Sequence, residues 1–293
     1  MQMQTIQQIS ALRARVAEWR RAGLRVGLVP TMGNLHGGHL ALVCDAAERA
    51  DRVVTSIFVN PLQFGPGEDL YAYPRTPERD AELLAQAGNH CLFAPTESEV
   101  YPNGRDDQTY VQVPVLSDIL CGASRPGHFR GVATVVAKLF NMVQPDVAIF
   151  GAKDYQQLMV IRRMSTELDL PVEIVGHPVV REPDGLAMSS RNGYLTPEQR
   201  AQAPLLQVQL QRLADALKAG EAIADAEWDA ARGLAASGFK PDYVSVRRRA
   251  DLAHPCAGDR AMVVLAAAYL GKARLIDNLE FDLPEALGSA VLA

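Results

Sequence analysis

The sequence predicts an α/β fold, a doubly wound parallel sheet followed by a smaller C-terminal α+β domain. Three observations carry this prediction. Short β-branched runs alternate with longer stretches of helical period over the first two thirds of the chain. Several of those runs are apolar throughout, as strands buried on both faces are. Beyond about Pro178 the texture changes to long Ala/Gln/Leu-rich helical segments followed by strand-like runs.

In chain order, the pattern opens with a helix over residues 6–21, closed by Gly23. Strands are expected at 25–29, 53–59, 90–94, 147–150 and 172–175. The helical stretches at 39–49, 77–87, 132–143 and 155–168 are long enough for right-handed crossovers between parallel strands. Residues 1–177 therefore read as a Rossmann-like domain. Residues 178–293 read as the smaller domain, with helices at 197–219 and 222–236 and strands at 243–246, 262–269 and 273–277. That second domain is expected to close over a site on the first.

Composition narrows the function. The 293 residues are 48% hydrophobic and 22% charged, the balance of an ordinary globular protein. A formal net charge of -5 lacks the basic excess of a nucleic-acid partner, and Arg247-Arg248-Arg249 has no aromatic residues interleaved with it. Cys44, Cys91, Cys121 and Cys256 show no C-x-x-C spacing, which argues against a zinc site or disulfide framework and for a reducing compartment. The first residues lack the apolar core of a signal peptide, and no apolar run is long enough to span a bilayer. The expectation is a cytoplasmic protein with no membrane and no nucleic-acid partner.

In doubly wound sheets ligands bind at the carboxyl ends of the strands, and four segments there are polar. Pro30 to His39 links the first long strand to the next helix and ends in His36-x-Gly38-His39. Its glycines allow close backbone approach, and the N–H groups at the helix start favour a phosphate. Two imidazoles three residues apart there can donate to phosphoryl oxygens as pyrophosphate leaves; by themselves they more often just cap the helix, and it is their place after the first sheet strand that points to a nucleotide. With no third ligand nearby, the pair does not suggest zinc. Asn60 and Gln63 place neutral amides in a turn after the second strand, suited to holding a carboxylate or hydroxyl. Gly151-Ala152-Lys153-Asp154 is again strand, turn, helix: Lys153 suits a phosphate as a point charge, Asp154 either caps the helix or binds a ribose hydroxyl, and Gln157 lies one turn further on. Met188-Ser189-Ser190-Arg191 combines hydroxyls and a guanidinium into an anion-binding set on a loop able to close over a triphosphate.

Taken together, Pro30-Thr31-Met32-Gly33 with His36-x-Gly38-His39, Asn60-Pro61-Leu62-Gln63-Phe64, Tyr73-Pro74-Arg75-Thr76, Arg125-Pro126-Gly127-His128-Phe129, Gly151-Ala152-Lys153-Asp154 and Ser189-Ser190-Arg191 resemble the pantothenate synthetase family, within the wider nucleotidyltransferase superfamily that shares the His-x-Gly-His element. The resemblance spans nearly the whole chain. It implies a ligase in which the carboxylate of pantoate attacks the α-phosphate of MgATP, and the amine of β-alanine then attacks the pantoyl-adenylate. By the family pattern Met32, Gly33, Asn34, Leu35, His36, Gly37, Gly38 and His39 line ATP, with His39 the foremost catalytic candidate and His36 beside it. Gly151, Ala152, Lys153, Asp154, Val180, Met188, Ser189, Ser190 and Arg191 complete the nucleotide site, Lys153, Ser190 and Arg191 stabilising the developing charge. Gln63 holds pantoate and lies near β-alanine, Gln157 holds pantoate, and Asn60, Tyr73 and Arg125 are further substrate candidates. The resemblance also implies a homodimer. One departure stands out: family members often carry an acidic residue just before the aspartate after the Tyr-Pro-Arg-Thr stretch, and this chain has Arg79 before Asp80. No direct protein ligand for magnesium is therefore assigned; phosphates and water hold the ion.

Two other readings share parts of the pattern. A cytidylyl- or adenylyltransferase has His-x-Gly-His but needs no amine acceptor, and the paired glutamines disfavour it. A non-catalytic nucleotide-binding regulator would leave His36, His39 and Lys153 without a task.

Overall fold

A computed structural model of the chain describes residues 3–285. The chain packs as two compact units: one runs through Ala152 and resumes over Gln157–Pro178, the other comprises Lys153–Gln156 and the chain from Val179 onward.

The first unit holds a six-stranded parallel sheet of β1 (Gln4–Ile6), β2 (Val26–Thr31), β3 (Arg52–Ile57), β4 (Cys91–Phe93), β5 (Val147–Gly151) and β6 (Glu173–His177), in the order β1-β4-β3-β2-β5-β6. Its helices are α1 (Ile9–Arg21), α2 (Gly37–Arg49), α3 (Pro77–Gln86), the short α4 (Glu97–Val100) and α5 (Cys121–Ser124), α6 (His128–Val143) and α7 (Tyr155–Glu167). Leu42, Val43 and Ala46 of α2 and Leu84 of α3 pack with Val29, Val53, Leu92 and Ile149 of the sheet. The alternate residues Leu28 and Val54 point to the opposite face and are equally buried, so the apolar runs mark strands covered on both sides.

The second unit contains α8 (Pro197–Gln202), α9 (Leu205–Lys218) and α10 (Ile223–Ala236) with an antiparallel sheet of β7 (Lys240–Arg248), β8 (Ala261–Leu270) and β9 (Ala273–Asp282), in the order β7-β8-β9. Leu206, Leu210, Leu213 and Leu217 repeat at helical spacing on α9 and share one core with Val264, Ala266 and Ala268 of β8.

Both layers follow the expected fold class, with two corrections. The opening helix begins at Ile9, and Ile6 instead belongs to β1, which pairs with β4 through Ile6 and Phe93. Three residues, Gln-Thr-Ile, are too few for a period to register, and the strand exists because β4 offers it a backbone edge. The single helix expected over residues 197–219 is two, because Pro204 has no N–H to donate to the carbonyl of Arg200. Among the described residues no helix is long and apolar enough to cross a membrane.

Candidate active site

In the order β3-β2-β5 the chain leaves β2 toward one side and returns as β5 on the other, so the topological switch lies between β2 and β5. Their ladder pairs Gly27 with Val147 and Leu28 with Ala148. Beyond that register β2 runs on to Thr31 and β5 to Gly151. The segment from Met32 to His39 leaves one lip of the crevice there, and Gly151 with Ala152 leaves the other.

The first lip is tightly specified. Gly33 (φ +84°) and Asn34 (φ +51°) are both left-handed. Asparagine tolerates that region, whereas a side chain at Gly33 would place its Cβ 3.1 Å from both Asp80 Oδ2 and Ile57 Cγ2. The N–H groups of Asn34 and Leu35 donate to Asp80 Oδ2 and Oδ1, each at 2.8 Å. Leu35, 1% exposed, is fixed in the core. The chain then reaches His36 in extended conformation as the N-cap of α2.

There the histidines form a reciprocal cap. His36 Nδ1 accepts from Gly38 N–H at 3.2 Å, and His39 Nδ1 accepts from His36 N–H at 3.3 Å. Their rings stack 4.1 Å apart, tilted by 40°. A ring nitrogen that accepts from backbone carries no proton, so each neutral imidazole bears its hydrogen on Nε2. Backbone thus holds both Nδ1 atoms, and the ring proton of each lies on Nε2.

The second cluster surrounds Gln63, which is 8% exposed. Asn60 and Pro61 open a 3₁₀ turn over Pro61–Gln63, and the Asn60 amide is used at both ends. Its Oδ1 accepts from Leu62 N–H at 3.4 Å and from the Tyr101 hydroxyl at 2.7 Å; its Nδ2 donates to the Gly131 carbonyl and to Gln63 Oε1, both at 3.1 Å. A backbone N–H only donates and a backbone carbonyl only accepts, so Leu62 and Gly131 determine which way the Asn60 amide faces. With Oε1 committed to Asn60, Gln63 turns its Nε2 toward Met32 Sδ, 3.1 Å away. Burial pushes the Tyr101 phenol up from its ordinary value, which keeps its proton in place for Asn60.

The backbone of the same turn is held as firmly. The Gln63 carbonyl accepts from His128 Nδ1 at 2.7 Å and from Arg125 Nη2 at 3.2 Å. Arg125 also grips Glu68 through Nε at 2.8 Å and through Nη2. Burial would raise the Glu68 carboxyl, but the hydrogen bonds and charge of Arg125 outweigh it and hold the group below its ordinary value. A Cβ on Gly131 would fall 2.3 Å from the Leu62 carbonyl oxygen, so only glycine lets α6 approach this turn. Tyr73 is buried and meets Phe64 edge-on, 6.0 Å between centroids. Asn60 and Arg125, expected as substrate contacts, also hold the Gln63 side chain and backbone in place. Gln157 lies half-buried in the first turn of α7.

The remaining candidates, apart from Gly151 and Ala152 of the first unit, lie in the second. Ala152–Asp154 is a 3₁₀ turn, with Lys153 Nζ 3.3 Å from Asp154 Oδ2 and the Lys153 carbonyl accepting from Asn278 Nδ2 at 2.9 Å. Met188 N–H donates to the Val180 carbonyl at 2.9 Å, and Arg181 bridges to Ala187, so these segments run antiparallel. Arg181 anchors them on β9 by a bidentate pair with the buried Asp277, at 2.7 and 3.0 Å. Ser189 accepts from Arg191 N–H at 3.3 Å and caps a 3₁₀ turn over Ser190–Tyr194. Ser190 and Arg191 thus lie in that turn. Among the described residues no group of three or more His, Cys, Asp or Glu side chains could hold a metal ion.

Sequence reasoning passed over Asp80, Tyr101, Glu68 and His128 as parts of this arrangement. The spacing from Asp80 to its loop partners and from Tyr101 to Asn60 is over forty residues of chain, about 45 and 41 respectively.

A doubly wound parallel sheet with a Gly- and His-rich loop opening a helix at its switch point defines a nucleotide-binding α/β enzyme. The chain belongs to the pantoate-beta-alanine ligase family, whose sequence model matches residues 4–280. It is 62% identical over 283 residues to the pantothenate synthetase of Thioalkalivibrio sulfidiphilus, covering 96% of this chain and 99% of that protein. The crystal structure of pantothenate synthetase from Thermus thermophilus superposes with a TM-score of 0.86 at 48% identity, covering 94% of this chain and 99% of that one. The pantoate-beta-alanine ligase of Francisella tularensis, solved with a form of ATP and β-alanine, superposes with a TM-score of 0.80 at 31% identity, over 94% of this chain and 97% of that one.

Proposed function

We propose that this enzyme condenses pantoate with β-alanine in two steps through a pantoyl-adenylate, releasing pyrophosphate in the first and AMP in the second. The observation that carries the reading is the pair of imidazoles at the β2–β5 switch, whose Nδ1 atoms are held by backbone so that Nε2–H is the donor each can present to a polyphosphate. Family membership supplies the acid and the amine.

The chemistry matches that inventory. A carboxylate is already a nucleophile at neutral pH, so the first step needs alignment and charge stabilisation more than a general base. One pantoate oxygen bonds to the α-phosphorus as the bond to the bridging oxygen breaks, and the departing pyrophosphate takes that electron pair. His39 and His36 donate to the phosphates; Lys153, Ser190 and Arg191 are assigned to the charge that builds there. The segments Met32 to His39 and Gly151 to Asp154, with Val180 and Met188 to Arg191, are assigned to the nucleotide. Magnesium arrives as part of the MgATP substrate. Gln63 and Gln157 are assigned to pantoate, Gln63 donating through Nε2. In the second step the neutral amine of β-alanine attacks the acyl carbon, loses a proton, and AMP leaves with the oxygen that came from pantoate.

We further propose a cytoplasmic homodimer, from family resemblance. The reaction is tested by following AMP and pyrophosphate while each substrate is omitted in turn: sustained AMP production must require ATP, pantoate and β-alanine together, and AMP turnover indifferent to β-alanine would exclude the two-step ligase.

A further inference from the structure

Asp80 has no role in the chemistry just described, yet it is among the most completely engaged carboxylates in the first unit. It sits in the first turn of α3 and is 1% exposed. Its two oxygens accept from three donors: Asn34 N–H and Leu35 N–H at 2.8 Å each, and the Thr76 hydroxyl at 3.0 Å. A buried charge is retained only when it is compensated, and here the compensation comes from the loop that opens α2.

The local backbone explains why that loop requires an anion. Two successive left-handed residues, Gly33 and Asn34, turn the N–H groups of Asn34 and Leu35 toward one point. Such a concavity binds an anion, and in this fold an internal carboxylate fills it. The contact at Gly33 closes the turn from the other side, since even a methyl group there would press on Asp80 Oδ2. One residue beyond Leu35 stands His36, whose backbone N–H and Nδ1 complete the double cap with His39. The position of both Nε2–H donors therefore depends on a turn whose shape is set from α3.

We propose that Asp80 is a positioning residue for nucleotide binding: its carboxylate holds the Gly33–Leu35 turn, and through it the imidazoles of His36 and His39, in the geometry that receives the phosphates. This rests on the nucleotide reading of that loop. It also separates Asp80 from magnesium, because its oxygens face protein donors.

The test is Asp80→Asn in the full chain, nearly isosteric, which turns one acceptor into an NH2 group facing an N–H. MgATP binding is measured by equilibrium dialysis without pantoate, alongside KM for pantoate and a magnesium titration. Affinity for MgATP is expected to weaken about tenfold or more, as for loss of a charge-assisted hydrogen bond. KM for pantoate should stay within about twofold, and excess magnesium should restore nothing. A general loss of structure would instead move both substrates. Unchanged MgATP affinity overturns the proposal, as does recovery at high magnesium, which would make Asp80 a metal ligand. If Asp80→Asn does not fold, Thr76→Val removes one donor and leaves the carboxylate; it should weaken MgATP by about threefold with pantoate unaffected, and no change in MgATP affinity would again overturn the proposal. Failure of the wild-type chain to bind MgATP at all would sink the nucleotide reading itself.

Discussion

Replacing Gln63 with glutamate exchanges the one group that Gln63 offers a ligand while keeping its shape. In the native turn Oε1 takes the Asn60 Nδ2 hydrogen bond at 3.1 Å, which a glutamate oxygen still accepts. What is lost is the NH2, so pantoate would meet a carboxylate instead of a donor. A hydrogen bond to a charged group contributes about 1.5–3 kcal/mol, which at about 1.4 kcal/mol per factor of ten gives roughly 10- to 100-fold in kcat/KM for pantoate. Repulsion between two carboxylates adds to this, so about tenfold is a lower bound. Initial rates with pantoate varied at saturating ATP and β-alanine measure the effect, with KM for ATP and the urea midpoint as controls. A fall of less than about threefold, with folding intact, would refute the donor assignment of Gln63 and the amide orientation derived from Asn60.

Three further outcomes follow from the same geometry. His39→Ala should lower AMP formation by about a hundredfold or more while costing the fold about 1 kcal/mol through the lost cap; wild-type turnover would remove this imidazole from the mechanism. Tyr101→Phe deletes the donor to Asn60 Oδ1 and should raise KM for pantoate several-fold, about threefold to tenfold, yet add nothing in a Gln63→Ala background, where equal effects in both backgrounds would show that the phenol does not act through Gln63. Glu68 is held below its ordinary value by Arg125, so its contribution is present above the unfolded carboxylate range and is lost as pH falls through the depressed folded value. Urea midpoints taken from neutral pH to about pH 3 should therefore fall less steeply in Glu68→Gln, and parallel curves would remove the Glu68–Arg125 pair from the acid response.

How much of this is legible in the sequence depends on the range of the interaction. β2, β3 and β5 are apolar runs ending in glycine or proline turns, signals within a few residues that the sheet reproduces. The His36 loop is equally local, because its cap involves residues two and three positions apart. β1 was not legible, since a three-residue edge strand is defined by its partner and not by its own pattern. Nor was Asp80: an aspartate in a first helical turn reads as an ordinary favourable charge near a helix N-terminus, and only the folded chain turns it onto a loop 45 residues earlier. Asn60 shows the same limit from the other side. Its amide after a strand reads as a ligand contact, and the sequence does not show that the same amide also bonds Tyr101, Leu62, Gln63 and Gly131.

The pantoyl-adenylate itself is open to one direct measurement. Pantoate labelled with heavy oxygen in its carboxylate is converted with ATP and β-alanine, and the products are weighed by mass spectrometry. Attack of that carboxylate on the α-phosphorus predicts one labelled oxygen in AMP and the other in the amide carbonyl of the product. Label in inorganic phosphate with formation of ADP, or AMP without label, would contradict the mechanism.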